Sequence, residues 1–178
     1  MKLKIFFFLF CVMAFLKCEK VDKIDFSHQK ILFQIEYINY AWGFAHQGLI
    51  IDSIGNVYSY NLPKKWILPD SSGFINTDSL TSNLLNCSLL TYKIDPKEIS
   101  AKLLLMESAS KGKLAKPVTE MADAGINSYY EFSYNTESKS YKRILLKQVG
   151  DIRIDNESPQ AIELWKWLAE IDNQTRLN

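Results

Sequence analysis

Histidine and cysteine are scarce in this chain: His28 and His46 are its only histidines, and Cys11, Cys18 and Cys87 its only cysteines, among 178 residues. A zinc centre needs three or four His, Cys or carboxylate ligands, and none stand at recognisable spacing, so neither a metal nor a cofactor is expected. The G-x-S-x-G elbow, the phosphate-binding G-x-x-x-x-G-K-[ST] loop and H-E-x-x-H are all missing, which removes the common hydrolase, nucleotide and metalloprotease signatures. Charge of one sign is also lacking, with 21 Lys and Arg against 20 Asp and Glu. A nucleic-acid partner is therefore not expected, since that grip needs clustered basic excess. No segment repeats, which excludes solenoids and propellers. Long hydrophobic runs are absent too: the longest, Ile5 to Leu16, has twelve residues and would span about 18 Å as a helix at ~1.5 Å per residue. A hydrocarbon core is roughly 30 Å thick.

What is present begins with that run. Lys2 and Lys4 precede it, and Lys17 and Cys18 follow it. A positive start and a short apolar stretch make the pattern of a secretory signal that is removed after export. With a cysteine directly after the apolar stretch, Met1 to Cys18 resembles the signal of bacterial lipoproteins. Lys17 stands where that family places a small residue and Phe15 where it places Leu. The resemblance implies a signal peptide over residues 1–17, lipidation at Cys18, and a membrane partner reached through acyl chains that each contribute about 0.8 kcal/mol per buried CH₂. It also implies a place in the bacterial envelope, at the outer membrane, on its periplasmic or surface side. Removing Lys2, Lys4 and Lys17 lowers Lys plus Arg from 21 to 18 against 20 acids, a formal charge of −2. Cys87 would then be the one thiol left, so no intramolecular disulfide can form and the core must hold the fold.

Residues 18–29 are charged and aperiodic and read as a tether; residues 30–178 read as one globular domain. Ile31, Phe33, Ile35 and Tyr37 alternate with Gln34 and Glu36, the two-residue period of a half-buried strand. At Ile38 to Phe44 the apolar phase shifts, which suggests a bulge or bend. Strands over Leu49 to Asp52 and Asn56 to Tyr60 are joined by a turn in which Gly55 takes positive φ. The loop Asn61 to Asn76 carries Trp66. Leu80, Leu84 and Leu85 mark a first helix. Asp95-Pro96-Lys97-Glu98 is a start signal for a second, with Asp95 as cap and Glu98 closing a capping box; that helix buries Ile99, Leu103, Met106 and Ala109. Strands around Tyr130 to Tyr134 and Tyr141 to Val149 follow, then a short strand at Ile152 and Ile154. The last helix, after Ser158-Pro159, places Ala161, Leu164, Trp165, Leu168 and Ile171 on one face and Trp167 beside it.

These patterns predict an α+β fold: an antiparallel sheet of about five strands with two or three helices packed on one face. The function expected is that of a lipid-anchored envelope protein whose domain binds a protein, peptide or glycan. Trp42, His46 and Trp66, in the two aromatic loop regions, are the candidate binding residues. Two other readings stay open. One is a periplasmic hydrolase in which Asp123, Asp151 and His46 converge as an acid/base site; the other is a structural envelope spacer. A Cys87/His46 nucleophile pair is weighed against an inert thiol, which the apolar setting of Cys87 favours.

Overall fold

The computed structural model describes residues 28–176. The signal over 1–17, the lipidation site Cys18 and nearly all of the tether lie outside the described residues. The order of elements is β1 (Ile31–Asn39), β2 (Ala45–Asp52), β3 (Asn56–Asn61), β4 (Phe74–Asn76), α1 (Thr77–Leu84), β5 (Ser88–Lys93), α2 (Pro96–Ser110), β6 (Val118–Thr119), β7 (Ile126–Asn135), β8 (Ser140–Gly150), β9 (Ile152–Asp155) and α3 (Pro159–Arg176). All strand pairs are antiparallel. They build one large sheet in the order β5-β3-β2-β1-β7-β8-β9-β6, with β4 added to β8. The nine strands exceed the expected five: the short strand read at Ile152 and Ile154 is β9, and β4, beside β8, and β5 and β6, at the two ends of the sheet, were not foreseen.

Alternation along the strands sorts side chains to two faces. Phe33, Ile35, Leu49, Ile51, Val57, Tyr129 and Leu146 pack against Ile99, Met106 and Ala109 of α2 and Leu164, Trp167, Leu168 and Ile171 of α3. Ile50, which lies between Leu49 and Ile51, points the other way and joins Tyr60, Phe132, Tyr141, Ile75 and Leu80. The helices are therefore divided. The two long ones cover one face, as the expected two or three helices on one face allow, and α1 covers part of the other.

The caps follow the sequence with one exchange. Asp95 accepts from the Lys97 N–H at 2.7 Å, and Pro96 opens α2. Glu98 does not close a capping box; its carboxylate accepts the indole N–H of Trp167 at 2.6 Å. The two tryptophans of α3 also trade roles. Trp167 is buried and meets Phe33 edge-on at 5.2 Å, whereas Trp165 is half-buried and rests beside Tyr129 at 6.2 Å. A satisfied indole N–H is what allows Trp167 to enter the core.

In the β2–β3 turn, Gly55 has φ +83° as expected, and a Cβ there would stand 2.3 Å from the Ile94 carbonyl oxygen. Asp52 accepts from the backbone N–H groups of Ile54 and Asn56 at 3.0 and 2.8 Å. Gln29 is buried and hydrogen-bonded to the carbonyl of Ile31, so the fold already includes the last residue assigned to the tether.

Candidate functional site

β1 and β2 form a long hairpin whose connection is Tyr40, Ala41, Trp42, Gly43 and Phe44. Here lies the phase shift seen in the sequence: the strand ends at Asn39, whose side-chain oxygen accepts from the Ala41 N–H at 2.8 Å, and Gly43 turns the chain with φ +105°. Three aromatic rings stand out from this tip. Trp42 is 84 % exposed, Tyr40 76 % and Phe44 55 %. Tyr40 and Phe44 lean together at 5.3 Å.

From the tip a band of rings continues onto the sheet. Phe44 approaches His46 at 6.2 Å, His46 meets Trp66 edge-on at 5.4 Å, and Trp66 lies over Tyr60 at 4.4 Å. The two loop regions singled out in the sequence therefore meet, His46 touching Trp66. Trp66 is held there by its neighbour: the buried side chain of Asn83 accepts from the Ile67 N–H at 2.8 Å and donates to the Ile67 carbonyl at 2.7 Å. Tyr60 reaches across β2 above Gly48, where a Cβ would sit 2.7 Å from its hydroxyl, and donates to the Ile35 carbonyl at 3.1 Å.

Beneath the band lies a buried charge cluster. His46 Nε2 is 3.1 Å from one oxygen of Glu36, and Arg143 donates to the other at 3.2 Å. Gln34 donates to Glu36 at 3.3 Å and to the Tyr60 hydroxyl at 3.1 Å. The Arg143 guanidinium also covers the ring of Tyr130 at 4.2 Å, a cation–π arrangement. Burial pushes the Tyr60 hydroxyl well above its usual range, and the Glu36 charge adds to that. Both Glu36 oxygens are engaged by donors, so this carboxylate orders its neighbours rather than standing as an open base. His46, buried and paired, holds the floor of the band; Tyr40, Trp42 and Phe44 are the exposed rings a ligand meets first, and Trp66 is half-buried beside them.

The acid/base candidates are brought together only in part. Asp123 and Asp151 line a cleft of about 290 Å³ with Asn39, Tyr40 and Gly125, and Asp151 accepts from the Ala124 N–H at 2.8 Å. His46 does not line this cleft and directs Nε2 at Glu36. Cys87 is half-buried and its sulfur donates to the Asn83 carbonyl at 3.4 Å; burial pushes the thiol up to about 12. It is a protonated thiol near neutral pH, and nucleophilic chemistry needs the thiolate.

Glu36, Tyr60 and Arg143 were not singled out in the sequence, nor was Glu131. Glu131 on β7 is 1 % exposed, its Oε2 has no hydrogen-bond partner, and burial pushes its carboxyl up to about 9. Alternation offered one signal for Gln34 and Glu36, and it misled: it assigned them to a solvent face that is buried, both below 5 % exposure.

Among the described residues no group of three His, Cys, Asp or Glu gathers to hold a metal, and no helix is long and apolar enough to cross a membrane. Comparison with protein-family models, with curated proteins and with solved structures finds no match to this chain.

Proposed function

We propose that this chain is a lipid-anchored protein of a bacterial envelope whose globular domain is a binding module, and that Tyr40, Trp42 and Phe44 make the first contact with a protein, peptide or glycan partner. The observation that carries the reading is the tip itself: three large rings within five residues stand 55–84 % exposed. Single exposed apolar residues are ordinary, whereas a cluster marks a contact surface. Aromatic side chains suit that work, because they supply large contact areas with few rotatable bonds. The floor is rigid, since Asn83 clamps the Trp66 loop and Glu36 ties together strands β1, β2 and β8. A rigid floor reduces the ordering cost of association. The location rests on Met1 to Cys18 and their likeness to lipoprotein signals.

The test is site-specific photocrosslinking in the producing bacterium. A photoreactive phenylalanine analogue at Trp42 is expected to trap a defined envelope component, while the same group at Leu104, 81 % exposed on α2, does not. Equal and diffuse labelling from both positions would sink the binding-module reading.

A further inference from the structure

The aromatic tip has a neighbour on its β7 side, the cleft in which Asp123 and Asp151 stand. Tyr40 and Ala41 form its near wall and Asp123, Gly125 and Asp151 its far wall, around a volume of about 290 Å³. The far wall is fixed by the strand that carries the tip: Tyr37 donates to the Ala124 carbonyl at 3.2 Å, and Asn39 to the Asp123 carbonyl at 3.3 Å. Ala124 in turn donates its N–H to Asp151 at 2.8 Å. That bond occupies one oxygen of Asp151; its other oxygen and both carboxylate oxygens of Asp123 receive no hydrogen bond among the described residues, and neither aspartate enters an ion pair. Arg153, close to Asp151 in the chain, is engaged by Glu120 at 3.0 Å and Asp155 at 3.6 Å instead.

We infer that the tip and this cleft together take a peptide segment in which a Lys or Arg stands beside an apolar residue; this rests on the binding-module reading and names the chemistry of its partner. The tip supplies no charge of its own, since Ile38 to Ala45 contains none. Charge complementarity therefore comes from the flanks, and these differ. Asp123 and Asp151 make the β7 side acidic, whereas Lys64 and Lys65 precede Trp66 on the His46 side. A cation entering the acidic side meets two carboxylates and the ring of Tyr40, whose face attracts an ammonium or guanidinium. The adjoining apolar residue then covers Trp42 and Phe44. Size agrees with this division: sites for whole organic ligands run roughly 300–1,000 Å³, so a cleft of about 290 Å³ suits a single side chain. A metal ion fits less well, because no third His, Cys, Asp or Glu gathers with the two aspartates among the described residues.

The test titrates the purified, detergent-solubilised full chain with three peptides blocked at both ends, Gly-Lys-Phe-Lys-Gly, Gly-Gln-Phe-Gln-Gly and Gly-Glu-Phe-Glu-Gly. NMR signals of the Trp42 indole and of the Ala124 and Gly125 amides report binding. The lysine peptide is expected to bind in the millimolar range and about tenfold more tightly than the glutamate peptide, with the glutamine peptide between them. Asp123→Asn combined with Asp151→Asn weakens the lysine peptide about two- to tenfold and leaves the glutamine peptide unchanged. Should that double variant fail to fold, Asp123→Asn alone serves, because its exposed carboxylate accepts no hydrogen bond, and a loss of about twofold is expected. Raising NaCl from ~0.05 M to ~0.5 M weakens the lysine peptide and not the glutamine one. Equal binding of all three peptides overturns the cationic partner while leaving the tip a contact surface. No shift with any peptide, or a Trp42 signal that moves with protein concentration alone and so marks a second copy as the occupant, also overturns the inference; crosslinking from Trp42 decides the wider reading separately.

Discussion

Two glutamates on neighbouring strands, each under 5 % exposed, meet opposite fates in this fold. Glu36 on β1 is surrounded by donors from His46, Gln34 and Arg143; Glu131 on β7 has none. The contrast teaches that burial by itself does not set the behaviour of an acid. Glu36 is knitted to two other strands by its hydrogen bonds, whereas burial without a donor makes Glu131 hold its proton up to about pH 9. Partner supply decides, and partners come from the face onto which the strand turns each side chain.

The largest expected effect comes from breaking the satisfied member. Glu36→Ala leaves Arg143 without its counter-charge and His46 without its hydrogen-bond partner, and loss of one partner of a buried pair costs about 3–5 kcal/mol, read as a shift in the urea midpoint. The unsatisfied member gives the next effect, and its sign is opposite. Unfolded Glu131 ionises near 4.5 while the folded carboxyl waits until about 9, so in that window unfolding releases a proton. Stability contributed by the protonated form is complete below 4.5, declines as pH rises through the window, and levels off above about 9. The expected loss from about pH 5 to about pH 7.5 is on the order of 3 kcal/mol, at ~1.36 kcal/mol per pH unit. Glu131→Gln flattens that slope; a slope unchanged in the variant would assign it to other groups. A smaller cost follows Trp66→Ala, about 1–2 kcal/mol for a half-buried ring, with red-shifted emission from the loosened loop as a second readout. Smallest is Trp42→Ala, expected within about 0.5 kcal/mol in the same denaturation assay because the ring is at the surface. That variant should nonetheless lose crosslinked partner, which separates stability from binding.

The elements with the strongest local signals were legible in the sequence. Alternation from Ile31 to Tyr37, the Asp95-Pro96 start of α2 and Gly55 in its turn each express a constraint that acts over a few residues. The short strands were not. β6 has two residues and β4 three, too few to show a period, and β5, six residues long, sets Leu89 and Leu90 side by side instead of alternating. Their pairing is decided by the rest of the sheet. The Trp165/Trp167 exchange has a similar origin: helical spacing favoured Trp165, but Glu98, distant in sequence, satisfies the indole of Trp167. The tip was legible as a cluster of aromatic letters. The charge cluster was not, because Glu36, His46 and Arg143 are joined only when three strands align, and Gln34 with Glu36 mimics the polar face of an exposed strand.

The direction of β1 bears on what kind of affinity the tip requires. Gln29 enters at one end of the strand and Tyr40 leaves at the other, nine strand residues later, which is about 26–30 Å at ~3.3 Å per residue. With the proposed anchor at Cys18, the ten steps from there to His28 add at most about 36 Å. The tip is then confined to a hemisphere of roughly 60 Å radius, equivalent to one molecule at a few millimolar, the range that short tethers impose. A partner fixed in the same membrane would meet the rings at that concentration without diffusing to find them. Contact through three side chains, individually too weak to survive dilution, would then be sufficient to hold it.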